Sequence, residues 1–381
     1  MIMIYPSEIT KKWPHRPLSE VVDFLDSKRK PITQKDRVPG PYPYYGANGQ
    51  QDSVADYIFD EPLVLLAEDG GHFGDADKTI AYQVEGKCWV NNHAHVLRPK
   101  KDVDIRYICR HLERYDVTPF ITGSTRGKLT KTAANNIPIA LPPLEEQRRI
   151  AAILDKADGV RRKRKEAIRL TEELLRSTFL EMFGDPVTNP KGWEKIKLGN
   201  LCTIVRGGSP RPINDYLGGS IPWIKIGDAT EGDDIYIHKT AEAIKPDGVK
   251  KSRYLEPGSL IFANCGVSLG FARILKIAGC IHDGWLAFSD LDKSINQIFL
   301  LKLLNSITEH FRAIAPAGTQ PNLNTTIMKN FEIPVPPIDL QEKFAVVSHY
   351  LTDSIQKNSE MFKESENLFN SLLQRAFRGE L

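Results

Sequence analysis

The sequence predicts an α+β protein, with two mixed α/β domains joined by two long helices that form an antiparallel coiled coil. Three observations carry this reading. With 381 residues, the chain is long enough for two domains. It repeats itself at an offset of 194 residues, the step from Asn136 to Asn330, so that residues 136–147 lie on residues 330–341. Each copy then ends in a Pro-free stretch, running without a gap to Phe183 or Phe377, in which apolar residues recur at steps of three and four. A period this long describes two copies of a domain and not a solenoid of short units.

In chain order, residues 1–143 are expected to form the first globular domain. Short β-like runs such as Pro62-Leu63-Val64-Leu65-Leu66-Ala67 and Lys87-Cys88-Trp89-Val90 are separated by turn signals at Asp69-Gly70-Gly71 and Glu85-Gly86. The pattern fits a curved, mainly antiparallel sheet. Residues 144–183 follow as the first long helix, started by Pro142-Pro143. About 40 residues at 1.5 Å rise make a rod of about 60 Å. Residues 184–337 repeat the globular pattern, with strands expected near 258–263 and 272–275, and residues 338–381 repeat the helix. The predicted seam runs through Ile150, Leu154 and Leu174 in the first helix and Phe344, Leu351 and Leu368 in the second. Polar residues interrupt it at matching places, Arg164 with Asn358 and Thr171 with Ser365, where they would fix register at some cost in stability. An antiparallel pairing of the helices would put the domains at opposite ends.

Composition narrows the class. The chain is 41% hydrophobic and 26% charged with a formal net charge of +3, which suits folded domains and permits a nucleic-acid partner without demanding one. No apolar run approaches the roughly 20 residues of a membrane span. The opening residues lack a basic segment followed by an apolar stretch, so no signal peptide is expected. Five scattered cysteines (88, 109, 202, 265, 280) argue against a disulfide framework and for a reducing, cytoplasmic setting.

The element Pro142-Pro143-Leu144-Glu145-Glu146-Gln147 before a long helix is echoed by Pro336-Pro337-Ile338-Asp339-Leu340-Gln341. Together with the ending Leu372-Leu373-Gln374-Arg375-Ala376-Phe377, it resembles the specificity subunit of type I restriction–modification systems. The resemblance covers essentially the whole chain; the second copy departs from the first in carrying Leu340 where the first has Glu146. It implies that each globular part is a target recognition domain for one half of a bipartite site in double-stranded DNA. It also implies that the helices form an antiparallel spacer that docks two methyltransferase subunits, through Gln147, Gln341 and the seam residues, with restriction and translocase subunits joining that core. Catalysis, S-adenosylmethionine, ATP and Mg would then belong to partner subunits, with no cofactor in this chain.

The alternative reading is an enzyme, either a standalone methyltransferase or a nuclease. Asn189-Pro190-Lys191-Gly192-Trp193 lacks the second Pro and the placed aromatic of an (N/D)PP(Y/F) motif, and no G-x-x-x-x-G-K-[ST] occurs. Tyr45-Gly46-Ala47-Asn48-Gly49 reads as a turn and not a phosphate cradle. His93-Ala94-His95 and Cys280-Ile281-His282-Asp283 offer paired ligand types but no second pair, so strand residues without a metal are expected. Glu68-Asp69 and Asp75/Asp77 read as acidic turns. A third reading is a coiled-coil adaptor whose domains bind proteins.

Base readout needs Arg or Lys for guanine and Asn or Gln for adenine, with hydroxyls and amides on phosphates. Three loop segments supply such sets: Thr125, Arg126 and Lys128 with the counterpart Thr319, Gln320 and Asn322; Asn91, Asn92 and His93; and Arg206, Ser209 and Arg211. The run Arg161-Arg162-Lys163-Arg164-Lys165 suits a solvated or protein-docking helix face better than a phosphate track, because the second copy lacks it.

Overall fold

The computed structural model describes residues 3–123, 127–229, 235–266, 268–315 and 322–381. The chain divides into two compact units. One comprises Met1–Glu166 with Ser359–Leu381, and the other Ala167–Asn358. Each unit thus contains one globular domain and a stretch of both long helices, Leu144–Phe183 and Ile338–Phe377.

In the first unit one sheet has the order Val22–Phe24, Ala94–Pro99, Leu63–Ala67, Ala81–Val84, antiparallel throughout. The run Leu63–Ala67 is buried on both faces. Val64 and Leu66 face the core shared with the helices, while Leu63 and Leu65 face a second core beneath the other sheet. A strand covered on both sides needs an unbroken apolar sequence, which is what this segment has. The second sheet orders Gly49–Val54, Pro39–Gly46, Lys87–Val90 and Phe59–Asp60, with one parallel pair between Pro39–Gly46 and Lys87–Val90. A short pairing of His15–Pro17 with Pro138–Ala140 joins the start of the domain to its end.

The second unit repeats this plan. Thr203–Arg206, Trp285–Ser289, Leu260–Ala263 and Ala272–Leu275 form the antiparallel run, extended by Tyr236–Ile237. Leu260 and Phe262 face one core, Ile261 and Ala263 the other. The companion sheet again has a single parallel pair, Leu217–Ile224 with Gly279–Ile281. Lys195–Lys197 and Glu332–Pro334 close the domain.

Each long helix is anchored at its start by the glutamine of the repeated motif. Gln147 is 1% exposed; its Oε1 accepts from the Asp104 amide (2.9 Å), and its Nε2 donates to the carbonyls of Pro142 (2.9 Å) and Asp102 (3.2 Å). Gln341 repeats this with the Asn296 amide (2.9 Å) and the carbonyls of Pro336 (2.7 Å) and Ser294 (2.8 Å). Asp104 and Asn296 are themselves N-caps, of helices Ile105–Leu112 and Gln297–Ser306. The motif therefore fastens a long helix to the cap of a domain helix. Gly184 and Gly379, at φ +78° and +72°, follow the helix ends in the left-handed conformation that favours glycine there.

The helices run antiparallel. In the first unit Arg149 reaches the Leu381 carbonyl (2.9 Å) and Arg161 reaches Glu366 (3.4 Å). In the second, Phe179 and Phe183 pack on Phe344 with ring centroids 5.4 and 5.3 Å apart. Ile150, Leu154, Phe344 and Leu351 are buried as expected of a seam. Leu174 and Leu368 are not, being 52% and 57% exposed; Leu175 and Phe369 take the seam instead. The cause is phase. Leu175, Phe179 and Phe183 stand at i, i+4 and i+8, as do Phe369, Leu373 and Phe377, so the preceding leucine is turned about 100° away. The polar interruptions also differ from expectation. Asn358 donates back to the Ser354 carbonyl (2.9 Å), and Thr171 and Ser365 each bond the carbonyl four residues earlier (2.7 Å), so these three hydrogen-bond within their own helices. Arg164 keeps a buried Nε with no hydrogen-bond partner.

Candidate nucleic-acid interface

Both domains build the same loop cluster at one edge of their sheets. In the first, the amide of Asn91 donates to the Tyr45 carbonyl (3.0 Å), and Asn91 Oδ1 accepts from the His93 amide (2.8 Å) to shape a tight turn. The Glu68 amide donates to the His93 carbonyl (2.8 Å), and the Leu129 amide to the Glu68 carbonyl (2.7 Å). In the second, His282 bonds the Ile224 carbonyl (3.0 Å), and its Nδ1 accepts from the Gly284 amide (2.9 Å). Asn264 bonds the Gly284 carbonyl (3.0 Å), and Leu323 the Asn264 carbonyl (2.8 Å). The backbone frame is shared while the side chains on it differ.

The described residues of the three predicted segments fall on this cluster. Asn92 is exposed and His93 half-buried, its Nδ1 2.5 Å from Asp69. Asn91 is 3% exposed and bonded to Gln51 (3.1 Å), so it supports the turn and is corrected from a base-reading residue to a structural one. Lys128 pairs with Thr122 through the backbone and with Glu68 through its ammonium (3.1 Å). Thr125, Arg126, Thr319 and Gln320 lie outside the described residues. Asn322 stands just after, bridged through its backbone to Cys265 as Lys128 is to Asp69. In the second domain the Arg206–Arg211 loop folds over the turn. Arg206 donates to the Asp283 carbonyl (2.8 Å), Ser209 Oγ to its carboxylate (2.7 Å), and Arg211, largely exposed, stands 3.5 Å from it. Burial raises the Asp283 carboxyl, but the Ser209 hydrogen bond and the charges of His282, Arg206 and Arg211 outweigh it and hold the group below its usual range. Burial and the nearby cations lower His282.

Sequence reasoning placed a turn at residues 45–49 but missed the two strands that make it a hairpin beside the first turn. Strands Pro39–Gly46 and Gly49–Val54 are joined by Ala47-Asn48, with Gly49 at φ +109°. The Asn-Gly pair is a hairpin signal, and the aromatic residues before it were the clue to a strand. This hairpin, the turn at Asn91–His93 and the side chains of Pro31, Ile32, Thr33 and Arg37 line an open cavity of about 420 Å³.

Among the described residues one trio has metal-ligand types close together: Asp26, Glu68 and His95, with ligand atoms within 4.8 Å. Arg29 already lies 3.4 Å from Asp26 and 2.5 Å from Glu68, and Lys128 contacts Glu68 as well. A divalent cation would face a guanidinium and an ammonium, so the donor set does not fit one. The cluster is an ion-pair network that fastens the loop ends, with His95 Nε2 against the Leu129 carbonyl (2.8 Å). His93 does not join it, because the strand begins at Ala94 and His93 belongs to the turn.

The family profile described as type I restriction modification DNA specificity domain matches residues 10–170 and again 190–360. The chain belongs to this family. It is a DNA-recognition subunit of the type I restriction–modification class, as the resemblance implied. A putative type I restriction enzyme specificity subunit of Haemophilus influenzae is 29% identical over 94% of each chain. A specificity subunit of Methanocaldococcus jannaschii is 20% identical, over 96% of this chain and 93% of its own. The crystal structure of a type I S subunit from M. genitalium has the same fold, with a TM-score of 0.64 and 15% identity over 96% of both chains. No helix among the described residues is long and apolar enough to cross a membrane.

Proposed function

We propose that this specificity subunit reads an interrupted site in double-stranded DNA, with residues 1–143 on one half and residues 184–337 on the other. The helical segments 144–183 and 338–381 carry two methyltransferase subunits and set the distance between the half-sites. Restriction and translocase subunits add to that core in the cytoplasm, and the modification is adenine methylation performed by the partners. The observation that supports this most is the loop cluster: one backbone frame, built twice, bearing Asn91-Asn92-His93 in one domain and His282-Asp283-Gly284 in the other. Equal frames with unequal donors and acceptors suit two domains that read different base pairs. For docking, the exposed pairs Leu170/Leu174 and Val346/Tyr350 each present an apolar i, i+4 face on a long helix of the second unit.

The test is sequencing of native host DNA with base-modification detection, with and without this gene. Deletion is expected to erase N6-methyladenine from one two-part motif. Methylation that persists unchanged would overturn the assignment.

A further inference from the structure

We infer that the cavity beside the Asn48-Gly49 hairpin is where base edges of the first half-site are discriminated, by Asn48, Gln51 and Asn92, with Asn91 as the residue that positions Gln51. This rests on the DNA-reading function proposed above and names the side chains that would perform it.

The chemistry of the cavity favours a base over a phosphate. Its guanidinium and its imidazole already have carboxylate partners. Arg37 lies 3.1 Å from Asp52 and stacks 4.3 Å from the Tyr44 ring, and His93 is paired with Asp69. A phosphate would compete with those carboxylates. The neutral amides, by contrast, have bonding capacity to spare. Gln51 Oε1 accepts from Asn91, which leaves its Nε2 as a donor. Asn48 Nδ2 donates to the Gly70 carbonyl (3.0 Å), which leaves its Oδ1 as an acceptor. Asn92 is exposed at the rim. A donor and an acceptor held by their own hydrogen bonds complement a base edge that offers both, the pattern adenine shows in the major groove. About 420 Å³ leaves room for such an edge and bridging water. Asn91 underlies the arrangement, since one amide group orients Gln51 and caps the turn that carries Asn92. The second domain has His282 at this position, with its Nε2 turned to Asp283 at 3.0 Å.

The test replaces the chromosomal gene with Asn48→Ala, Gln51→Ala and Asn92→Ala, singly and together, in the full chain with its natural partners. The readout is the methylated motif of the host genome. All three side chains are exposed, so thermal unfolding is expected to stay near that of the parent. One or two positions of the first half are expected to relax, with discrimination there falling about 5- to 150-fold, while the second half is retained. Asn91→Asp keeps the cap to His93 but loses the donor to Gln51, and is expected to relax the position that Gln51→Ala relaxes. An unchanged first half in the triple variant overturns the proposal, as does a uniform loss of methylation with unaltered base preference. An Asn91→Asp motif equal to that of the parent removes its positioning role. Loss of the broader reading is distinct: there, deleting the whole gene leaves the methylated motifs as they were.

Discussion

His111 is a fully buried imidazole with neither ring nitrogen hydrogen-bonded. It stacks on Tyr115 with ring centroids 5.7 Å apart and meets Phe377 at 4.6 Å, so it serves as a core ring where the first domain rests on the second long helix. Burial pushes its pKa down to about 3, because a charged imidazolium would lose its water without gaining a partner. The unfolded chain takes up a proton below about 6.5 and the folded chain does not. Stability is therefore fully present above about pH 6.5 and falls on acidification towards pH 3, by at most about 1.4 kcal/mol per pH unit. The second domain has Leu303 at the same distance from its helix cap, also fully buried. His111→Leu is thus expected to fold and to flatten the pH dependence of unfolding between pH 6.5 and 4. Denaturant melts of the two proteins across that range check this, and parallel curves would show that His111 does not titrate on unfolding.

At the scale of elements, the anchoring glutamines explain why one short motif was so readable in the sequence. Gln147 and Gln341 each satisfy one amide and two carbonyls that come from the end of the domain and the cap of its helix. No residue of another shape makes all three bonds, so the letter is the same in both copies. Gln147→Ala would leave buried backbone groups unpaired and is expected to cost about 2–4 kcal/mol, with Gln147→Glu no better because a carboxylate cannot donate to the carbonyls. Thermal unfolding would show it; a loss under about 0.5 kcal/mol would mean the anchor is dispensable. The strands were legible for a similar reason, since Leu63–Ala67 and Leu260–Ala263 face two cores and must be apolar without a break. The choice between neighbouring leucines was not legible. Leu174-Leu175 and Leu368-Phe369 each offer two apolar residues, and only the phase set by Phe179 or Leu373 decides which one is buried. The cavity was half readable: Asn92 was singled out as a loop residue, but Asn48 and Gln51 reach the same cavity from a hairpin far away in sequence. Burial, which separates Asn91 from Asn92, leaves no local mark.

At the scale of the whole molecule, the chain uses two recognition domains of common plan on two helices of equal length, each helix contributing to both compact units. Under the proposed function the helices have a metrical role, and length is then a separable variable. The bases read depend on the loop clusters, whereas the spacing depends on how many residues lie in the helices. Removing one heptad from each, residues 164–170 and 356–362, shortens both by about 10 Å while preserving the apolar phase on either side. Removal from only one helix would leave the other without matching seam partners, so the paired deletion is the informative one. At about 3.4 Å per base pair, 10 Å corresponds to a spacer about 3 base pairs shorter. Both half-sites are expected to remain as they were, because no residue of either loop cluster is altered. Methylome sequencing of a host carrying the paired deletion reads spacer and half-sites together. A motif with its original spacer would mean that something other than helix length sets the distance, and changed half-sites would mean that the helices take part in base selection.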